Sequence, residues 1–320
     1  MPATPGHPTQ LLDAEISCID TGLHRPGMVA CYLIESQGKA GFIDTGVGAS
    51  MPVLLQALKK RRLAPEDVEY IMPTHVHLDH AGAAGHLMQE FPNAVLLVHP
   101  RGARHLIDPQ KLQAGVEAVY GKERFNTLFG ALLAVDKERV VAVEDDAEVS
   151  LGQRKLRFLH SEGHARHHYC IYDAQSQGLF CGDTFGASYP ELNQSGKPFI
   201  FPPTTPVHFD PDAWLASIER LLALEPKRVY LTHFGMHESV DLLGRMLKQS
   251  IHTFADIARE VAEQENAQGI IAEQLMQHCI NLLLDNGCVK EVAEIREFLN
   301  MDMELNAQGL DYWLRHSQKP

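Results

Sequence analysis

Thr74-His75-Val76-His77-Leu78-Asp79-His80-Ala81-Gly82 carries four side chains of metal-ligand type within six residues. The stretch follows an apolar, β-prone run over residues 68–73 and precedes a run over 82–91 with apolar residues at helical spacing. It therefore reads as the passage from the end of a strand into the start of a helix. In open α/β sheets that carboxyl edge is where ligands are placed. Alternation along the strand end points His75 and His77 to one side, and the turn into the helix brings Asp79 and His80 beside them. Four such groups together can hold two cations. The chain has 18 histidines, which makes chance clusters commoner, but the HxHxDH spacing at a strand–helix junction is more specific than composition alone.

Working outward, short strand-like runs alternate with helical ones from residue 14 to about 245. Residues 29–34, 41–44, 68–73, 94–99, 154–160, 168–172, 178–181 and 228–232 read as strands. Residues 51–61, 82–91 and 211–224 read as helices. The alternation indicates an α/β layered domain. Two stretches break the rhythm. Residues 101–135 look like a helical insertion starting near Asp108-Pro109, and 186–209 form a long loop rich in Pro, Gly and aromatics, of the kind that is usually functional or disordered. From about residue 250, Ile251, Phe254, Ile257 and Val261, then Ile271, Leu275, Cys279 and Leu282, then Val292, Ile295 and Leu299 keep helical spacing, with Gly269 and Gly287 as helix ends. The expected organisation is a flexible N-terminus over 1–13, a catalytic domain over 14–245 and a helical region over 246–320.

Composition narrows the function classes. The 320 residues are 45% hydrophobic, enough for a sizeable core, and carry a formal net charge of -13. So acidic a chain repels phosphate backbones, so nucleic acid is not an expected partner. The basic stretch Lys59-Lys60-Arg61-Arg62 follows an apolar run and reads as the solvated end of a helix. Residues 1–10 have neither the basic start nor the apolar centre of a signal peptide, and no run is long enough to span a bilayer. The six cysteines lack CxxC spacing and read as buried reduced thiols, in keeping with a cytoplasmic compartment. A small molecule is the expected partner, with a homodimer left open.

The motif resembles the signature of the metallo-β-lactamase superfamily, and further pieces follow in that family's order. Ser161-Glu162-Gly163-His164 resembles its second metal motif, Phe180-Cys181-Gly182-Asp183-Thr184 the strand ending in a bridging Asp, and Leu231-Thr232-His233-Phe234-Gly235 the last His motif. Gly41-Phe42-Ile43-Asp44-Thr45-Gly46 matches the early Asp-Thr-Gly turn, whose Asp supports the metal-binding loop. The resemblance covers roughly residues 14–245. It implies the family's αβ/βα four-layer sandwich, here with a C-terminal helical appendage.

It also implies two divalent metals: His75, His77 and His164 on one, Asp79, His80 and His233 on the other, with Asp183 bridging. Such a donor set suits zinc, with iron and manganese as alternatives. Two cations would activate a shared water and polarise a carbonyl, with Asp79 and Asp183 in catalytic roles. Tyr189, together with Phe185, stands just past Asp183, where related lactonases place an aromatic near the substrate, which makes Tyr189 a candidate oxyanion donor. His167 and His168 read as neighbours of the site, and His86, His99, His105, His160, His208 and His237 as structural or solvated.

Departures from other branches favour the glyoxalase II, acyl-homoserine lactonase and thioesterase group. Asp183 separates the chain from true β-lactamases, His77 from flavodiiron oxygen reductases, and the acidic surface from the family's nucleases. Residues 99–112 resemble a bacterial and archaeal subgroup of these hydrolases. The expected activity is hydrolysis of a lactone or thioester. The rival readings are a mononuclear iron persulfide dioxygenase, a phosphodiesterase, and a non-catalytic binding protein on the same fold.

Overall fold

The computed structural model describes residues 9–193, 197–204 and 207–317. These form two compact units. The first runs to His160 and adds His167–Gly182 and Pro226–Glu238; the second comprises Ser161–Arg166, Asp183–Glu225 and the chain from Ser239 onward.

The first unit contains two sheets. Strands β1 (Thr9–Leu11), β2 (Ile16–Asp20), β3 (Ala30–Ser36), β4 (Lys39–Ile43), β5 (Val68–Met72), β6 (Val95–Val98) and β7 (Val140–Ala142) lie side by side in chain order. The first four pair antiparallel, and β4 to β7 parallel. The second sheet has the order β13-β12-β11-β10-β9-β8, built from β8 (Glu148–Leu151), β9 (Arg154–His160), β10 (Tyr169–Asp173), β11 (Gly178–Gly182), β12 (Arg228–Leu231) and β13 (Gly235–His237). Only β11 and β12 pair parallel there.

Alternation along the strands explains both faces of the first sheet. Cys31, Leu33, Phe42, Ile71 and Leu96 pack under helices α1 (Met51–Lys60), α3 (Ala84–Glu90) and α4 (Pro100–Ile107). Their alternates Tyr32, Ile34, Ile43, Met72 and Leu97 meet Leu156, Phe158, Tyr169, Ile171 and Phe180 of the second sheet. Being covered on both faces, β3 is buried along its whole length, and Ala30 to Ile34 read as one apolar run. Two tyrosines stitch the sheets: Tyr32 donates to the Leu231 carbonyl at 2.6 Å, and Tyr169 to the Leu97 carbonyl at 2.8 Å. Each satisfies a polar tip inside an apolar layer.

Several expectations shift in detail. The helix expected over 82–91 is α3, and a short additional helix, α2 (Leu78–Ala81), precedes it, so Asp79 and His80 sit on helix rather than on the loop before it. The break follows from a backbone bond, Ala83 N–H to the Gly46 carbonyl at 2.9 Å, which draws the chain aside. The insertion is helical, as α4, α5 (Gln110–Tyr120) and α6 (Lys122–Leu128). Within the stretch read as a flexible N-terminus, residues 9–11 pair with β2 as an edge strand, while residues 1–8 lie outside the described residues.

The second unit holds α7 (Pro211–Leu222), α8 (Val240–Glu260), α9 (Ala267–Asp285) and α10 (Val292–Ser317). Asp210 caps α7, its carboxylate accepting from Ala213 N–H, and Pro211 occupies the first turn. The buried stripes Leu243, Leu247, Ile251 and Phe254 of α8, Ile271, Leu275 and Cys279 of α9, and Ile295, Leu299 and Met303 of α10 keep the helical spacing seen in sequence. The first of these helices begins at Val240, before the character change near residue 250. Gly269 falls inside the first turn of α9 rather than at a helix end, whereas Gly287, at φ +84°, follows α9 as expected. Among the described residues no helix is long and apolar enough to cross a membrane.

Candidate metal centre

Asp44 organises the ligand-type residues of the first unit. It follows β4 with φ +55°, a left-handed conformation that Asp tolerates better than most residues, and it is fully buried. One carboxylate oxygen accepts from Thr74 N–H at 2.7 Å and from the Thr74 hydroxyl at 2.9 Å. The other accepts from the Thr232 hydroxyl at 2.6 Å and from His80 Nδ1 at 2.8 Å. One carboxylate thus ties together the ends of β4, β5 and β12 and the helix α2.

These partners assign the histidine tautomers. A carboxylate oxygen only accepts, so His80 carries a proton on Nδ1 and turns Nε2 to the open side of the ring. His233 Nδ1 faces the Met28 carbonyl at 2.9 Å and is fixed in the same way. Both Nε2 atoms approach one oxygen of Asp79, His80 at 3.4 Å and His233 at 3.3 Å. The ligand-type atoms of Asp79, His80 and His233 all lie within 4.8 Å of one another. Burial pushes the Asp79 carboxyl up, but the charge of His80 and the hydrogen bonds donated by His233 and His80 outweigh it and hold the group well below the usual carboxylate range.

His75 and His77 pair beside this group. Their Nε2 and Nδ1 atoms are 2.7 Å apart, and the His75 ring centroid lies 4.0 Å from that of His80. His168 stacks on His75 at 4.8 Å, and His167 lies 6.1 Å from it, so both are packing neighbours of a ligand-type ring. Gly182, at φ +49°, closes β11 against them. A Cβ there would stand 2.5 Å from Thr74 Oγ1 and 2.6 Å from His168 Nε2.

Within the second unit, His164 and Asp183 form another pair. His164 Nε2 lies 3.2 Å from Asp183 Oδ2, and His164 Nδ1 donates to the Pro203 carbonyl at 2.8 Å. The preceding Gly163, at φ +125°, lets the backbone pass Trp214, whose Cα a side chain there would meet at 2.3 Å. Tyr189 is buried and donates its phenol proton to Asp302 Oδ1 at 2.8 Å, packed against Phe201 and Phe298.

Three imidazoles, on His80, His233 and His164, therefore turn Nε2 toward a carboxylate oxygen at 3.2 to 3.4 Å. Nitrogen and carboxylate donors in this combination fit a divalent metal. Away from the site, His99 caps α4 by accepting from Arg101 N–H, and His160 and His237 bond backbone carbonyls, so all three are structural.

Four supports escaped sequence reading. Thr74 and Thr232 leave one trace, the Thr-His pair that occurs at both 74–75 and 232–233. The Met28 and Pro203 carbonyls leave none, since every residue has a carbonyl.

A family model described as the metallo-beta-lactamase superfamily matches residues 24–233. A metallo-beta-lactamase fold-containing protein from Sulfurisphaera tokodaii is 29% identical over 229 residues, 71% of this chain and 80% of that protein. An N-acyl homoserine lactonase from Bacillus thuringiensis is 25% identical over 231 residues, 65% of this chain and 80% of that protein. The crystal structure of an archaeal metallo-beta-lactamase superfamily protein from Sulfolobus tokodaii matches with a TM-score of 0.66 at 25% identity, covering 93% of this chain and 99% of that one. A family protein from Thermus thermophilus, at 19% identity, shares the fold with a TM-score of 0.61 over 90% of this chain and 89% of its own.

Proposed function

This chain belongs to the metallo-β-lactamase superfamily, and on that premise we propose that it is a dinuclear metal-dependent hydrolase of a small acyl compound, a lactone or a thioester. The observation that carries the reading is the convergence of tautomer-fixed Nε2 atoms of His80 and His233 on Asp79. In this reading His75, His77 and His164 would hold one ion and Asp79, His80 and His233 the other, with Asp183 as the carboxylate that would serve both. When bound, a pair of divalent ions, zinc for preference, lowers the pKa of water toward neutrality and polarises a carbonyl.

The chain's own residues supply the rest. Asp44 and the Met28 and Pro203 carbonyls hold three imidazoles by Nδ1, with Nε2 left as the nitrogen that can ligate. Asp79, kept ionised by its neighbours, can accept a hydrogen bond from the attacking water and orient it. Tyr189 enters as an oxyanion donor only by exchanging its bond to Asp302 for one to substrate. A relative that is an N-acyl homoserine lactonase supports the acyl class. Six buried cysteines support a reducing, cytoplasmic setting.

Elemental analysis of protein purified with metal available should give close to two ions per chain. The metal-replete enzyme should then favour lactones and thioesters over matched phosphodiesters in kcat/KM. A single iron that chelation and re-addition cannot raise would move the assignment to the dioxygenase reading. A phosphodiester surpassing every acyl substrate, with activity lost in Asp183→Ala, would move it to phosphodiesterase.

A further inference from the structure

We propose that Asn306, on the C-terminal helix α10, is a positioning residue for His164, acting through the single peptide that joins Pro203 to Thr204. The inference rests on the reading of His164 as a metal ligand. Asn306 Oδ1 accepts from Thr204 N–H at 2.7 Å, and the Pro203 carbonyl accepts from His164 Nδ1 at 2.8 Å. That N–H and that carbonyl belong to one peptide plane. In a trans peptide they point in opposite directions and cannot turn independently. Holding the N–H therefore aims the carbonyl, and the carbonyl fixes both the orientation of the imidazole and the nitrogen that carries its proton.

Two further features stiffen the relay. The Thr204 hydroxyl donates to the Asn306 backbone carbonyl at 3.1 Å, so Thr204 is held to one residue of α10 by two bonds. The Pro203 ring restricts the backbone on the other side of the plane. Asn306 and Thr204 are both buried, at 2% and 1% exposure. The chain Asn306 Oδ1, Thr204 N–H, Pro203 C=O, His164 Nδ1–H is thus shielded from water at its Asn306–Thr204 end, and bonds in series polarise one another in such surroundings. Its far end leaves His164 Nε2 facing Asp183 at 3.2 Å. A carbonyl that only packed the loop onto α10 would have no reason to end on a ligand-type imidazole.

The test uses full-length, metal-free protein with 15N-labelled histidine rings, together with zinc titration against a competing chelator. His164 Nδ1–H, assigned with His164→Gln, should exchange slowly with solvent in the wild type. In Asn306→Ala that signal should be lost to exchange while His233 Nδ1–H, held by Met28, persists. The weaker zinc step should loosen by about tenfold, the lower end of what supporting partners of ligands contribute. Asn306→Asp, which keeps an acceptor in the same place, should restore both readouts and move the His164 proton shift.

An Asn306→Ala protein with unchanged His164 exchange and zinc affinity would overturn the proposal, as would an Asn306→Asp protein no better than Ala. If the Ala variant does not fold, the wild type and Asn306→Asp decide, because an unmoved His164 shift between them breaks the relay. Wild-type protein that passes these readouts yet hydrolyses no acyl substrate would count against the proposed reaction alone.

Discussion

Asp44 shows how much one side chain can carry. All four of its partners donate: Thr74 N–H and hydroxyl to one oxygen, Thr232 hydroxyl and His80 Nδ1 to the other. Asp44→Asn keeps an acceptor for Thr74 but turns an NH2 group toward Thr232 and His80, donor against donor. A threonine hydroxyl can rotate away; the imidazole can respond only by giving up its Nδ1 proton, which leaves Nε2 protonated and unable to ligate. Asp44→Asn should therefore lose metal and also stability, by about 1–3 kcal/mol for each donor left unpaired. Urea unfolding and metal analysis of the same preparation check both. Full metal content with lowered stability would show that Asp44 braces the strands without setting the tautomer. Gly182→Ala attacks the same network from β11, since its Cβ would displace Thr74 Oγ1 and His168 while also being strained at φ +49°. It should cost at least about 1–3 kcal/mol for the backbone strain alone, and a stability within error of wild type would mean the β11 end relaxes freely.

Among the elements, α4 carries a pH dependence separate from the metal ligands. Its capping residue His99 accepts from Arg101 N–H at 3.1 Å through Nδ1, and its ring lies 4.0 Å from that of His160. Burial, then the neighbouring His160 and Arg101, lower its pKa from the ordinary 6.5 to about 3. The unfolded chain therefore takes up a proton that the folded chain refuses as pH falls from about 6.5 toward 3. Stability contributed by the neutral ring is whole above that window and is lost through it. His99→Asn keeps a good cap without the titration, so its stability should fall less steeply than wild type between pH 6 and 4 in urea titrations. Parallel slopes would place the acid sensitivity elsewhere. Elements with a strong period were plain in the sequence, and β9 agrees at both ends, because alternation and helical spacing express burial directly. The split between α2 and α3 was not legible, since it follows from a backbone bond to Gly46, remote in sequence and independent of side-chain type. The ligand-type residues were legible because their chemistry is rare and their spacing tight. What orients them, two threonines and two carbonyls, is chemistry that common residues share.

Across the whole molecule the dominant physical quantity is charge. The formal net charge is -13, and even two bound divalent ions leave the chain strongly negative. At low ionic strength, where screening extends over about 30 Å at 0.01 M, an approaching solute meets that total field before it meets any local cation. At 0.15 M the range shrinks to about 8 Å, and only groups near the site are felt. The sign of the salt effect therefore reports which field governs approach. An anionic thioester should be repelled at low salt, so its kcat/KM should rise, by about threefold, as ionic strength increases from 0.01 to 0.15 M. The effect belongs to encounter, so kcat itself should stay constant, and a neutral lactone should show no trend. Stopped-flow or steady-state rates with a matched anionic and neutral pair check this, with metal content held constant across the series. If kcat/KM for the anionic substrate instead falls with salt, the acidic surface is not what such a molecule sees. A positive local field would then be drawing it in, and the argument from net charge against phosphorylated substrates would fall with it.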